Sequence, residues 1–380
     1  MNRAGMEQGK RRKPKRFYDY SLLFLTIFMV CFGLVMIYST SSYNAQRFYG
    51  DATKFLKQQA RAAVLGIAGM IVVSKIDYRI YINKLPLIRI RPIYLLYGIC
   101  LLLQIVVIVA GSESGGSTRW IEFGSFRFQP SEITKIAVIL FTSYIVQLSP
   151  RRLDRFTGFL RVFFFVAPLI GLVVVENFST ALIMGVIMVA ICFVASRKKG
   201  YFIVCGVLFV ILGCIFVFGV DYRSERIDAW LQIETHPKGY QILQGLYAIA
   251  SGRIFGKGLG QSMQKLGFIP ESHTDMIFSV ICEELGLFGA IAVILLYILL
   301  LYRLFFIAVN SADLYGGLIA TGIMAHIGVQ VLLNIAVVTS TIPSTGVPLP
   351  FISYGGTSLV VLLLEMGIAL SVSNQIKAEV

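Results

Sequence analysis

In the segment Glu271-Ser-His-Thr-Asp275 two carboxylates and an imidazole fall close together, immediately before the apolar run that begins Met276-Ile-Phe-Ser. Asp275 thus stands where the chain enters a low-dielectric phase. Desolvation disfavours an ionised carboxylate and raises its pKa, which suits a general base working near neutral pH. The plainer alternative is a helix cap, since Asp275 or Thr274 in front of a helix would satisfy free backbone amides. Glu271, His273 and Asp275 also have the types of a metal trio, a weak signal at this spacing.

A second group sits earlier, in Ser117-Thr-Arg119-Trp120 and Gln129-Pro-Ser-Glu132. Arg119 beside Trp120 suits contact with phosphate at headgroup level, the layer that Trp prefers. Glu132 and Lys135 are three residues apart and can pair on one helix face. Glu283-Glu284, His326 and Glu365 fall inside apolar runs, where charge is expensive and is either functional or paired in a protein interior. Glu176-Asn177 reads as a turn that faces water. The Pro- and Gly-rich stretch from Pro343 through Ser353 to Gly356 predicts irregular backbone beside a cavity, where protein or water satisfies it. The run Gly256-Lys-Gly-Leu-Gly260 lacks the spacing of a phosphate-binding P-loop and follows no buried strand.

These groups need a scaffold, and composition says which. The chain of 380 residues is 57% hydrophobic and only 14% charged, with a mean hydropathy of +0.77. A soluble domain is closer to half apolar and a quarter charged. The pattern predicts an all-α polytopic membrane protein with about ten transmembrane helices and one large extracytoplasmic loop. The spans read as 20–40, 59–76, 92–110, 132–148, 160–175, 178–195, 201–219, 276–302, 314–338 and 353–374. Residues 1–19 form a basic tail with Lys10, Arg11, Arg12, Lys13, Lys15 and Arg16, and the long run after it reads as a retained first span rather than a cleaved signal. Residues 20–376 form one transmembrane domain, and 377–380 a short second tail.

With the N-terminus cytoplasmic, the short inside segments carry more than half of the 34 Lys and Arg, as orientation by positive charge requires. Both termini are then cytoplasmic. The loop at 220–275 nevertheless carries Arg223, Arg226, Lys238, Arg253, Lys257 and Lys265 on the opposite side, which suggests an anionic partner there such as a lipid phosphate. Solvated cations balanced by Asp221, Glu225, Asp228 and Glu234 are the alternative. Within that loop, 239–251 predicts a helix whose apolar face is Tyr240, Leu243, Leu246, Tyr247 and Ile249. The net charge of +14 in this setting concerns membranes and not nucleic acid. The six cysteines lie in apolar stretches without a C-x-x-C pair, as buried small hydrophobes do.

Eight stretches in order resemble the SEDS family, whose members include FtsW, RodA and SpoVE. They are Gly116-Ser-Thr-Arg-Trp-Ile121, Gln129-Pro-Ser-Glu-Ile-Thr-Lys135, Glu176-Asn-Phe-Ser-Thr-Ala-Leu182, Gly239-Tyr-Gln-Ile-Leu-Gln244, Gly256-Lys-Gly-Leu-Gly260, His273-Thr-Asp-Met-Ile-Phe278, Glu283-Glu-Leu-Gly286 and Pro348-Leu-Pro-Phe-Ile-Ser-Tyr-Gly-Gly356. The Glu283 motif resembles the FtsW or SpoVE type more than the RodA type. Val175-Glu176-Asn177 departs from the family's usual Gln-Pro-Asp. Gly267 and Thr345 stand where some members carry an acid and a lysine.

The resemblance implies a peptidoglycan glycosyltransferase of the cytoplasmic membrane that polymerises lipid II at the outer face during division. It implies Asp275 as general base, and Arg119, Arg127, Trp120, Lys265 and Ser353 as substrate-binding residues around the diphosphate and cavity. Glu132, Lys135 and Glu284 would shape the cavity. A divalent cation, Mg2+ or Mn2+, would come with the diphosphate, with no organic cofactor. The implied partners are lipid II, a class B penicillin-binding protein and other divisome membrane proteins. A lipid II flippase, or a non-catalytic scaffold for the penicillin-binding protein, are the rival readings: a transporter would rely on mid-membrane acids, and a scaffold would tolerate loss of Asp275.

Overall fold

In a computed structural model of the protein, residues 16–84, 89–114, 117–123, 126–202, 204, 206 and 221–377 are described. Six helices come first: α1 (Tyr20–Tyr49), α2 (Lys54–Lys75), α3 (Pro92–Ala110), α4 (Pro130–Leu148), α5 (Phe156–Glu176) and α6 (Phe178–Ala195). Two shorter ones follow, α7 (Asp221–Leu231) and α8 (Tyr240–Gly252), and then α9 (Ile277–Val309), α10 (Leu314–Val338) and α11 (Gly356–Ser373). Among the described residues nine helices, α1–α6 and α9–α11, are long and apolar enough to cross a membrane. The chain is a multi-pass membrane protein. The expected span at 201–219 lies almost wholly outside the described residues.

On one face the two ends of the chain meet. Strand β1 (Arg16–Phe17) pairs antiparallel with the last strand, β5 (Ile376–Lys377). Asp19 caps α1 through Leu22 N at 2.9 Å and receives Arg303 of α9 at 2.7 and 3.0 Å. Ser373 of α11 accepts from Asp19 N, so α1, α9 and α11 are tied at one buried residue, α1 and α9 through its carboxylate and α11 through its amide. The second and last helices close the bundle. On Gly367 a Cβ would lie 2.8 Å from the Met70 carbonyl oxygen, so only a hydrogen there lets α2 and α11 approach this closely.

The opposite face carries the connections that matter. The connection between the expected spans 92–110 and 132–148 holds a three-stranded antiparallel sheet of β2 (Ser112–Ser114), β3 (Ser117–Phe123) and β4 (Phe126–Phe128). Helix α1 runs well past its predicted end at 40, burying Ser41 and Ala45, and stops at Gly50, whose φ of 71° forms the left-handed cap.

Helix α9 is two helices. Gly286 breaks it with φ 66° and ψ −163°, a region that residues with a Cβ avoid. Every residue from 277 to 284 is buried, whereas Leu287, Phe288, Ile291, Leu295, Ile298, Tyr302 and Phe305 form an exposed stripe along the remainder. That remainder, 287–309, is about 34 Å long at 1.5 Å per residue and spans a hydrocarbon core of about 30 Å alone. Residues 277–285 therefore belong to a protein cap, and Glu283-Glu284, expected inside a span, stand at its base.

Helix α8 packs along 277–285. Its packed face is Ile242, Gly245, Ala248 and Gly252, while Tyr240 and Tyr247 of the predicted apolar face point outward. Close approach decides the matter: on Gly252 a Cβ would sit 1.9 Å from the Cys282 carbonyl oxygen. Small residues win the protein contact and the large apolar ones are left for the surroundings.

Candidate active site

The cap is anchored by its two acids. Glu283 accepts from Lys257 Nζ at 2.6 Å, from Ser251 Oγ at 3.2 Å, from the Ser262 hydroxyl, and from the backbone of Met263 and Gln264. Glu284 accepts from Lys265 Nζ and Ser39 Oγ, each at 2.7 Å. A buried carboxylate persists only when its charge and lone pairs are met, and both are met here. Lys265, expected at the substrate, is 5% exposed with its ammonium taken by Glu284 and by Ser39 of α1. Glu284 is thus a structural residue of the cap's foundation.

Above this base the 271–276 segment is pinned by its carbonyls. Ser272 Oγ donates to Thr40 O at 3.2 Å, and Tyr354 N donates to His273 O at 2.9 Å. Ser353 Oγ donates to Thr274 O at 2.6 Å, and Asn334 Nδ2 to Asp275 O at 2.7 Å. Ser353 is buried, and its hydroxyl also accepts from Leu349 N. The same Asn334 amide holds Val347 O at 2.8 Å, and Gln59 bridges Ser353 O and Gly355 N. The irregular backbone at 343–356 is satisfied in this way by polar side chains of α2 and α10.

Asp275 is left half-buried with a partly occupied carboxylate. Oδ1 receives Thr274 Oγ1 at 3.2 Å and Gln241 Nε2 of α8 at 3.4 Å. Burial raises its pKa above the ordinary value of 3.8 and Glu271 adds to the rise, while the Thr274 bond, its own amide and the Arg226 charge oppose it. Asp275 does not cap α9, whose N-cap is Met276 without a side-chain bond. Arg226 of α7 donates to Ser344 O at 3.2 Å, and Trp230 Nε1 to Ser340 O at 2.8 Å, so α7 is docked on the 339–345 loop and its cation faces the aspartate.

His273 turns the other way. Its ring lies 4.5 Å from Phe55 and 5.3 Å from Tyr354, and burial pushes its pKa down to about 4, so it is a neutral aromatic wedge. Glu271 is exposed with φ 49°. Among the described residues no three of His, Cys, Asp and Glu converge to hold a metal ion, so the Glu271–His273–Asp275 trio does not fit one.

The hairpin residues approach from the far side. Arg127 is exposed and pairs with Glu122 at 2.9 Å, its carbonyl oxygen accepts from Thr357 Oγ1 at 3.1 Å, and its charge reaches Tyr354. Arg119 and Trp120 are partly buried on β3, where Trp120 is the register partner of Ser112. In the first turn of α4, Glu132 and Lys135 form the expected pair at 3.0 Å, both buried. Behind them His326 Nδ1 and Glu365 Oε2 lie 2.8 Å apart with no exposure. Glu176, expected to face water, is buried against the Gln104 amide, whose nitrogen lies 2.8 and 3.0 Å from its two oxygens.

Sequence reasoning missed Asn334, Gln241 and Gln59 as parts of this site, and named Arg226 only among the loop cations that suggest an anionic partner. Asn334 sits inside a span, and the rule applied to charged residues in apolar runs would have found it had it been extended to amides.

The comparisons now bear on this geometry. A family model described as cell cycle protein, covering FtsW, RodA and SpoVE, matches residues 20–378. A relative named probable peptidoglycan glycosyltransferase FtsW, from Geobacter metallireducens, is 38% identical over 95% of this chain and 96% of its own. Stage V sporulation protein E of Bacillus subtilis is 36% identical over 94% of this chain and 97% of its own. A solved chain from a peptidoglycan synthase complex, described as coordinating polymerization and crosslinking, superposes with a TM-score of 0.76 at 27% identity, covering 94% of this chain and 97% of that one.

Proposed function

The chain belongs to the FtsW, RodA and SpoVE family, and from that premise we propose that it is a peptidoglycan glycosyltransferase that polymerises lipid II, with Asp275 as the general base. The 4-hydroxyl of the acceptor GlcNAc attacks C1 of the donor MurNAc. Its proton passes to the Asp275 carboxylate as the new glycosidic bond forms. The bond from C1 to the diphosphate breaks, its electron pair leaves with undecaprenyl diphosphate, and the anomeric centre inverts from α to β. A positioned base supplies about 10²–10⁴-fold.

The observation that carries this reading is the state of Asp275: raised in pKa by burial, half-buried beside Thr274 and Gln241, and fixed through its own carbonyl by Asn334. Arg119 and Arg127 are assigned to the charge gathering on the diphosphate, with Trp120 beside them, and Arg226 joins them as the cation that faces the aspartate. Lys265 and Ser353 act at a remove, by holding the loop that carries Asp275. Glu132 and Lys135 hold the inner wall. A divalent ion, Mg2+ or Mn2+, would be carried by the diphosphate and not by a protein cage.

The cap then faces outward from the cytoplasmic membrane, with both termini cytoplasmic; the meeting of β1 and β5 on one face and the basic short segments support this orientation. A class B penicillin-binding protein is the partner that cross-links the product, within the division machinery. The deciding experiment is strand synthesis from purified lipid II by wild type and Asp275→Asn, each with a transpeptidase-dead partner. Long strands from wild type and none from a folded variant are expected. Equal strands from both would remove Asp275 from the chemistry.

A further inference from the structure

The cations of the cap include one pair that the reaction leaves unused. Beyond α8 the chain turns through Arg253 and Ile254, whose carbonyls accept from Leu287 N at 2.9 Å and Phe288 N at 3.3 Å. The turn thereby caps the first free amides of the true span and stands at the level where lipid contact begins. Beside it lies a groove of about 980 Å³ lined by Tyr247, Arg253, Ile254, Phe255, Lys257 and Gln264.

Its wall is apolar and runs on into the lipid-facing stripe of α9. Ile254, Phe255, Leu287 and Phe288 are 55, 80, 54 and 61% exposed, and the Phe255 and Phe288 rings lie 5.4 Å apart. Its rim is polar. Lys257 is neutralised by Glu283, and Arg253 has no acid partner among the described residues, so the groove carries one net positive charge. Gln264 Oε1, buried at its back, has no hydrogen-bond partner in the described structure.

The backbone of the turn is strained. Arg253 holds φ 49° and ψ −140°, a conformation that glycine adopts freely and that residues with a Cβ resist.

We propose that this groove binds one monoanionic glycerophospholipid from the leaflet on the cap side, its phosphodiester on Arg253 and its acyl chains along Phe255 and Phe288. Continuity with the lipid-facing stripe identifies the ligand as a bilayer component, and the single net charge matches one phosphodiester better than a diphosphate. At the other end of α8, about 18 Å away at 1.5 Å per residue, Gln241 meets Asp275. The binding claim stands independently of the reaction assigned to Asp275.

The test is native mass spectrometry of the full chain released from nanodiscs of phosphatidylglycerol, phosphatidylethanolamine or phosphatidylcholine, with undecaprenyl phosphate as competitor. One retained phosphatidylglycerol is expected, with neither zwitterionic lipid retained. Arg253→Gln should weaken retention about tenfold, as loss of a charge-assisted bond does. Arg253→Gly should lose the lipid yet raise Tm in lipid-free detergent, because it relieves the strained turn. Equal retention of all three phospholipids, unchanged retention in a folded Arg253→Gly, or tighter binding of undecaprenyl phosphate at this groove would each overturn the proposal.

Discussion

Asn334 holds the main-chain carbonyl of Asp275 at 2.7 Å and that of Val347 at 2.8 Å with one amide nitrogen. A single side chain in the last turns of α10 therefore sets the distance between the two loops that bound the site. Asn334→Ala frees both carbonyls and lets the aspartate drift. Strand synthesis should fall about 100-fold, as expected for a misplacement near 1 Å, with kcat losing more than KM. Wild-type rates from a folded Asn334→Ala would show that the loops hold without it.

Asp275 has a pKa raised by burial, and the sign of the linkage follows. The folded state binds its proton more tightly than the unfolded chain, so its contribution to stability is greatest at low pH. That contribution is lost as pH rises from about the unfolded value of 3.8 through the higher folded value. Asp275→Asn removes the cost of a buried charge and should raise Tm at neutral pH while abolishing strands. In the wild type, strand synthesis should rise with pH across the same window, as the base ionises. A lowered Tm in Asp275→Asn would contradict the desolvation argument.

Lys265 and Glu284 should behave as one unit. Glu284→Leu leaves a buried ammonium and should cost about 3–5 kcal/mol, read as a fall in thermal stability in detergent. Lys265→Met with Glu284→Leu removes both charges and should recover most of that loss. If the double variant is stable and still polymerises, Lys265 supports the loop. If it is stable but polymerises with a raised KM, Lys265 reaches the substrate.

Gly286 is the break that separates cap from span. A Cβ there would fall 2.3 Å from Gly256 N, in a conformation that other residues resist. Gly286→Ala should cost more than about 3 kcal/mol, combining strain with overlap. Limited proteolysis should then cut between 253 and 276 faster than in wild type, with the bundle left whole. Unchanged cleavage would mean that the break tolerates a side chain.

The spans were legible because a bilayer demands long apolar runs, and the ends of α3, α6 and α10 fall within a few residues of expectation. The cap was not, because Ile277-Phe-Ser-Val-Ile281 has the hydropathy of a lipid-facing helix and is buried in protein instead. Hydropathy measures aversion to water and does not say which apolar phase receives the residue. The packed face of α8 was misread for a related reason: large side chains mark the hydrophobic face, and Gly245 and Gly252 mark the contact. Asp275 was singled out from its position at the boundary, but its neighbours Arg226 and Gln241 come from helices whose docking no local pattern encodes.

The clasp of β1 on β5 bears on how the molecule comes to be made. Arg16 and Phe17 are made before every span, and their strand partners Lys377 and Ile376 only after the last one. Helix α2 likewise waits for α11. During synthesis the early helices stand in the bilayer with one flank open, and the ring closes only once α11 has been made. A chain cut short before residue 356 would keep most of its spans and lose its fastening, a ready mark for quality-control proteases to recognise an unfinished copy.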